Sequence, residues 1–187
     1  DLAEVKILID AIQAASFITK SKSKELTEKV ASLAGSHKAT ALKSNLVTFN
    51  TRKHTNEAIY YTVDTLEIAL QQKRKVSFRY FDLNERGERV FRKDSDRYLV
   101  NPVGLVYHED NYYLMTYHET REATVTYRVD RMAGVQMEEE PVDERSIALS
   151  GELGAYTERV FKMFHGPQAT VELQFNRKLI DAVYDKF

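Results

Sequence analysis

The period of the hydrophobic pattern changes at Lys75, and this change constrains the fold more than any other feature of the chain. Before Lys75, apolar residues recur at helical spacing, as in Leu2, Val5, Ile9 and Ile12. From Lys75 onward they alternate with other residues, beginning with Val76, Phe78 and Tyr80. Helices followed by a run of strands predict an α+β fold.

Three helices are predicted before Lys75. The first carries the apolar stripe just named. Ser23 is the predicted N-cap of the second helix, and Gly35 ends it. The third begins either at Asn56, as one continuous helix, or at Asp64, after a β-prone stretch that breaks the helix near Val63. Both starts fit the pattern.

After Lys75, short strands follow at a spacing of roughly ten residues, which is typical of a small barrel or sandwich. The acidic run from Glu138 to Glu144 is the predicted boundary of this unit. Beyond it, a helix over 152–164, a strand over 169–175 and a helix capped by Asn176 predict an αβα extension. The predicted divisions are therefore a helical region (1–74), a β domain (75–140) and an extension (141–187).

Composition excludes several functional classes. The 187 residues hold 27 Lys and Arg against 28 Asp and Glu, a formal charge of −1, which argues against binding nucleic acid through bulk charge. The lack of cysteine excludes disulfides, thiolate zinc sites and a cysteine nucleophile. No apolar run is long enough to span a membrane, and the chain starts without a signal-peptide pattern. We expect a cytoplasmic protein, represented here by a fragment or processed piece.

Catalytic motifs are missing from the sequence. It contains no glycine-rich phosphate loop, no Gly-x-Ser-x-Gly elbow and no His-x-x-x-His pair. The run His108-Glu109-Asp110 falls in a predicted hairpin turn, where a solvated acidic cluster is the simpler explanation. The sequence therefore predicts a protein that is not an enzyme and that holds neither a metal nor a cofactor.

A basic and aromatic stretch extends from Lys73 to Lys93. This stretch contains eight cationic and three acidic residues, a local charge of +5, and Tyr80, Phe81 and Phe91 lie among them. Arginine forks beside aromatic rings suit phosphates and stacked bases. The outward side of an ordinary hairpin has the same composition, and on this stretch alone that explanation is favoured.

Arg128 and Arg131 form a second basic group, on either side of Asp130. Alternation along a strand places Arg128 on the opposite face from Tyr127 and Val129. The group is either a structural ion-pair cluster or an anion site in which Asp130 orients one arginine and leaves the other free. Periodicity leaves both possibilities open.

Four motifs occur in order between Val76 and Glu138: Phe78-x-Tyr80, Pro102-x-Gly104-Leu105, Asn111-Tyr112-Tyr113-Leu114 and Tyr127-Arg128-Val129-Asp130-Arg131-Met132. Together they resemble the WYL domain of bacterial transcriptional regulators, which implies a small Sm-like antiparallel β-barrel. The preceding helices resemble the linker that follows a winged helix-turn-helix in that family, and residues 169–187 resemble the start of its C-terminal extension. Two positions depart from the family: Tyr112 replaces a tryptophan, and Val125-Thr126 stand where many members have a further arginine.

The resemblance implies the ligand-sensing and oligomerisation part of a regulator, expected to be a homodimer. Its effector would be anionic, a nucleotide or a short single-stranded nucleic acid, and duplex DNA would be bound only by a domain outside this sequence. The predicted ligand-binding residues are Arg79, Tyr80, Tyr112, His118, Arg128 and Arg131. Two alternatives remain: a dimerisation module with no small ligand, and an enzyme acting on nucleotides, which needs a general base or metal near the arginines.

Overall fold

The structure, a computed structural model, describes residues 1–35, 53, 57–151, 153, 170 and 172–184. Within them, three helices come first: α1 (Leu2–Ala14), α2 (Lys20–Ser32) and α3 (Ala58–Gln71). Six strands follow: β1 (Arg74–Leu83), β2 (Arg89–Phe91), β3 (Tyr98–His108), β4 (Asn111–His118), β5 (Ala123–Arg128) and β6 (Met132–Pro141). Two short helices lie beyond them: α4 (Glu144–Ser150) and α5 (Ile180–Tyr184). This order confirms the α+β class.

All the strand pairings are antiparallel, and β1 is their centre. The strands follow the order β2-β1-β3-β4-β5, and β6 also pairs with β1. The pairing register shifts between Ser77 and Arg79 and between Pro102 and Gly104. Such bulges bend strands and increase their twist. The predicted barrel is therefore present as a curled half-barrel sheet.

The main core lies between α3 and the concave face of this sheet. On β1, Val76, Phe78 and Tyr80 point inward, and they pack with Ile59 and Leu66 of α3. Phe78 is fully buried and stacks on Tyr98 at 5.7 Å between ring centroids. Alternation then directs Ser77, Arg79 and Phe81 to the outer face.

Helix α3 resolves the two predicted starts in favour of one continuous helix. It begins at Ala58 and runs through Val63 without a break. Ile59 and Leu66 are both buried against the sheet, so packing of one helical face outweighs the β-propensity of the intervening residues. Asn56 lies outside the described residues.

Helix α2 begins earlier than predicted, because Thr19 is its N-cap and Ser23 is not. The Thr19 hydroxyl accepts a hydrogen bond from the Lys22 N–H at 3.1 Å. Threonine and serine both cap helices well, so residue type alone does not decide between Thr19 and Ser23. The buried residues of α2 are the small ones, Ser23, Thr27 and Ala31. They allow close approach to Val5 and Ile9 of α1, whereas Leu33, the C-cap residue of α2, is 75% exposed.

The acidic run after Met137 continues a strand. β6 extends to Pro141, which pairs with Arg74, so the first part of the predicted boundary run belongs to the sheet. Asp143 then caps α4 by accepting a hydrogen bond from the Arg145 N–H at 2.8 Å. Helix α4 ends at Ser150, and Leu153 beyond it packs on β3 and β4 in a further hydrophobic cluster.

The C-terminal predictions have mixed outcomes. The helix predicted over 152–164 lies largely outside the described residues. Residues 172–176 pair with no strand in the described part of the chain, so the strand predicted there is wrong; a strand needs a neighbour to satisfy its backbone. Asn176 is a cap, as predicted, because its side chain accepts a hydrogen bond from the Lys178 N–H at 3.0 Å.

Candidate functional site

A cleft of about 740 Å³ opens beside the aromatic core, a volume in the usual range for ligand pockets. Four tyrosines line it: Tyr80, Tyr98, Tyr113 and Tyr127. Four cationic side chains also line it: Arg92, Lys93, Arg121 and Arg128. Glu109 is the carboxylate among its lining residues. The cleft is therefore both aromatic and positively charged.

The turn after β2 supplies two of these cations. The Arg92 N–H donates to the Tyr80 carbonyl at 2.8 Å, and its guanidinium lies 5.1 Å from the centroid of the Tyr80 ring. That guanidinium also pairs with Asp82 at 2.7 Å, which lowers the pKa of the Asp82 carboxyl. Lys93 has a φ of +52°, and its ammonium lies 4.0 Å from the centroid of the Tyr98 ring.

Arg128 is held by two side chains. Its Nε and Nη2 donate to the Asp130 carboxylate at 3.0 and 2.9 Å, and Nη2 also donates to Asn111 Oδ1 at 2.7 Å. The hydrogen bonds with Asp130 raise the pKa of the Arg128 guanidinium. The Arg131 Nε lies 3.9 Å from the same carboxylate. Asp130 thus neutralises Arg128 first, and Arg131 only weakly.

Tyr80 and His118 complete the polar lining. The Tyr80 hydroxyl accepts a hydrogen bond from the Arg128 N–H at 3.2 Å, and burial raises the pKa of this phenol. The Nδ1 atom of His118 is buried and has no hydrogen-bond partner in the described part of the chain. Buried polar atoms without a partner call for an explanation such as a bound ligand or water.

Three of the six residues predicted to bind the ligand line this cleft: Tyr80, His118 and Arg128. Arg79 is on the opposite face of β1, where its guanidinium lies 5.1 Å from the centroid of the Phe91 ring. Arg79 therefore does not lie in one site with Arg128 and Tyr80, because adjacent residues of a strand point to opposite faces.

Tyr112 and Arg131 also lie outside the lining of the cleft. Tyr112 packs edge-on against Phe17 at 5.3 Å and tilts against Tyr107 at 5.0 Å between centroids. Arg131 lies in the short 3-10 turn after β5, beside Asp130. Both chain neighbours of Tyr112, Asn111 and Tyr113, line the cleft, but Tyr112 itself does not.

Sequence reasoning did not assign Arg92, Lys93 and Arg121 to the site. The first two belong to the basic stretch that ends at Lys93, so the composition contained a signal for them. The direction of Lys93 depends on its left-handed backbone. Arg121 ends a 3-10 turn between β4 and β5, and no periodic pattern covers such a turn.

Two structural findings bear on other types of site. In residues 1–35, 57–151 and the smaller described pieces, no group of three or more His, Cys, Asp or Glu side chains is placed to hold a metal ion. No helix in the described part of the chain is long and apolar enough to cross a membrane.

Residues 61–137 match the family model of the WYL domain. This chain contains a WYL domain. The match begins in α3 and ends in β6, so it includes the sheet, the cleft and part of the helix that covers the core. The four ordered motifs lie within this span, and the resemblance that they indicated is confirmed.

A comparison with solved structures found a similarity to the proteasome accessory factor B/C (PafBC) of Arthrobacter aurescens. It covers 79% of this chain and 22% of that chain, with 19% sequence identity and a TM-score of 0.39. The chain thus spans about a fifth of the length of that protein. A comparison with curated proteins found no match.

Proposed function

We propose that this chain is the ligand-sensing and oligomerisation part of a bacterial transcriptional regulator, and that its WYL domain binds an anionic effector in the cleft. The observation that carries the proposal is the composition of the cleft lining, which contains four cationic side chains, one carboxylate and four tyrosine rings. Cationic forks and aromatic rings recognise phosphates and bases respectively. The proposed effector is a nucleotide or a short single-stranded nucleic acid.

Lys93 and Arg121 are the cations most available to such a ligand. Arg92 and Arg128 already pair with Asp82 and Asp130. No carboxylate in the described residues lies within 4.0 Å of the charged nitrogens of Lys93 or Arg121. An incoming phosphate therefore meets two cations that have no carboxylate partner to lose.

The proposed protein is not an enzyme, is cytoplasmic and is a homodimer that contacts duplex DNA through a further domain. Val5 and Ile9 of the apolar stripe on α1 are buried against α2, but Leu2, Ile7 and Leu8 of α1 stay at least 43% exposed. These side chains are available to a second copy of the chain, because large apolar side chains gain free energy when buried. Sedimentation over a concentration series tests this, and a strict monomer at high concentration contradicts it.

The alternative of a dimerisation module with no ligand has one observation in its favour. Arg128, Asp130 and Asn111 satisfy one another without a ligand. A purely structural role for the cleft nevertheless leaves Lys93 and Arg121 without a reason to line the same cavity.

Titration of a fluorescent ATP analogue and a labelled short oligothymidylate at low salt tests the effector proposal. Lys93→Gln combined with Arg121→Gln should weaken binding, by roughly ten- to a hundredfold for each charge-assisted hydrogen bond that the substitutions remove. Lys20→Gln combined with Lys24→Gln removes the same charge from α2, away from the cleft, and should leave affinity within about twofold. No binding by the wild type, or an equal loss in both variants, contradicts the proposal.

A further inference from the structure

The outer face of β1, opposite the cleft, carries three arginine side chains in a row. Arg97 lies at Ser77, to whose hydroxyl and carbonyl its guanidinium donates at 3.0 and 2.8 Å. Arg79 is the next outward residue of β1. Arg89 lies over the outward residue after that, 4.7 Å from the centroid of the Phe81 ring. The three side chains thus lie at or beside Ser77, Arg79 and Phe81, which are successive outward residues of one strand.

The anchoring leaves hydrogen-bond donors of each guanidinium available. Arg79 and Arg89 lie over the Phe91 and Phe81 rings, so an aromatic ring covers a face of each while the N–H groups stay in the guanidinium plane. Arg97 donates through Nε and Nη2, and its Nη1 makes no hydrogen bond with the described residues.

Carboxylates do not neutralise this row. In the described residues, none lies within 4.0 Å of the guanidinium nitrogens of Arg79, Arg89 or Arg97, whereas Arg92 on the other face pairs with Asp82. The acid that adjoins the row is Glu138, which accepts a hydrogen bond from Ser77 at the Arg97 end. The face therefore presents repeated, oriented and unneutralised cations.

We propose that these three side chains, the arginine row, bind the phosphodiester backbone of nucleic acid independently of the cleft. Guanidinium forks match phosphate geometry, and a row of cations suits an anion whose charges repeat along a chain. Phosphate contacts position a strand without reading its bases, so the row is indifferent to sequence. With only three contacts, binding is weak and strongly dependent on salt.

The test uses the full chain and two labelled probes of roughly twenty nucleotides, an oligothymidylate and a DNA duplex, long enough to cover a typical single-strand site. Fluorescence anisotropy at several salt concentrations gives the affinity and its salt slope. Arg79→Gln combined with Arg89→Gln should weaken binding of the oligothymidylate by about tenfold or more at low salt. Its logarithmic salt slope should become shallower by about 1.4, since each single-strand phosphate contact contributes about 0.7.

The duplex distinguishes the two sources of a phosphodiester backbone. Weaker binding of both probes shows that the row reads the backbone alone, and weaker binding of one probe assigns the row to that form. Arg97 is left intact in all variants because it also supports the carbonyls of Ser77 and Gly134.

Two controls separate the row from bulk charge and from the cleft. Lys24→Gln combined with Arg86→Gln removes the same charge from α2 and from the β1–β2 turn, and it should bind as the wild type does. The row variant should also bind the fluorescent ATP analogue normally. Failure of that analogue to bind the wild type refutes a nucleotide effector, and it leaves the row standing if binding of the oligothymidylate still depends on Arg79 and Arg89.

Four results overturn the arginine row. The first is unchanged affinity and slope in the row variant, and the second is an equal loss of affinity in the charge control. The third is that polyglutamate displaces the oligothymidylate as effectively as inorganic polyphosphate does. That result would assign the face to an acidic protein. Absence of any nucleic-acid binding at low salt also refutes it.

Discussion

The Arg128 guanidinium donates a hydrogen bond to the Asn111 side-chain oxygen at 2.7 Å, which joins the cleft to the start of β4. The same guanidinium makes a two-fold contact with Asp130, whose side chain is 10% exposed. Arg128 is therefore a structural residue before any ligand binds. A ligand that draws it away from Asn111 loosens a contact next to Tyr112.

Replacing Arg128 with alanine should destabilise the fold by about 2 kcal/mol, because Asp130 loses its charged donor while it stays mostly buried. Chemical denaturation measures the change, with Arg86→Ala in the exposed β1–β2 turn as the control. Adding Asp130→Ala should restore part of the stability, since no unpaired charge then remains. A wild-type midpoint for Arg128→Ala would show that the ion pair contributes nothing to stability.

The loop between α1 and α2 reaches the sheet through Phe17. Its ring contacts Tyr107 and Tyr112 at 5.2 and 5.3 Å between centroids. The Tyr60 hydroxyl also accepts a hydrogen bond from the Thr19 N–H at 2.9 Å. The loop between the first two helices is thus attached to Tyr107 of β3, Tyr112 of β4 and Tyr60 of α3.

Phe17→Ala should detach this loop at a cost of about 1–3 kcal/mol, the value of two aromatic contacts. Amide hydrogen exchange in α1 and α2 should become faster, while exchange in β1 and β3 stays slow. Tyr61→Ala on the exposed side of α3 is the matched control. Unchanged exchange in the two helices would mean that other contacts hold them to the sheet.

Much of this architecture is predictable because one face of β1 must be buried. Alternation alone separates Tyr80 from Arg79, and applying it strictly removes Arg79 from any site that contains Tyr80. The direction of Lys93 is different, because it depends on one left-handed residue that no periodicity reveals. Arg121 reaches the cleft from the turn between β4 and β5, whose position depends on how the sheet curls.

The φ of Gly104 is outside the left-handed region, so its backbone conformation does not require glycine. Its lack of a side chain instead leaves room for a neighbouring side chain. A Cβ atom there would overlap the side chain of Leu153, which packs on β3 and β4 beyond α4. Gly104→Ala should destabilise the chain by about 1–3 kcal/mol through overpacking. Gly151→Ala is the control, because its Cβ would meet only Ala148 O, at 3.5 Å. In thermal melts, Leu153→Ala should suppress the effect of Gly104→Ala, and independent, additive effects would disprove the contact.

Tyr107 and Tyr127 should ionise well above pH 10. Burial raises the pKa of Tyr127 to about 12, and burial together with a hydrogen bond to Asp110 raises that of Tyr107 to about 12. Because both values lie above the unfolded value of about 10, the two phenols contribute stability that is complete below pH 10. That stability is lost as the pH rises toward 12.

Phenolate absorbance during an alkaline titration measures this directly. Tyr107→Phe should remove amplitude near pH 12. It should also reduce the loss of stability between pH 10 and 12, because the Tyr107 hydroxyl donates to Asp110 at 3.0 Å in the folded state alone. If Tyr107→Phe removed amplitude near pH 10, the Tyr107 phenol would be solvated and the Asp110 hydrogen bond absent.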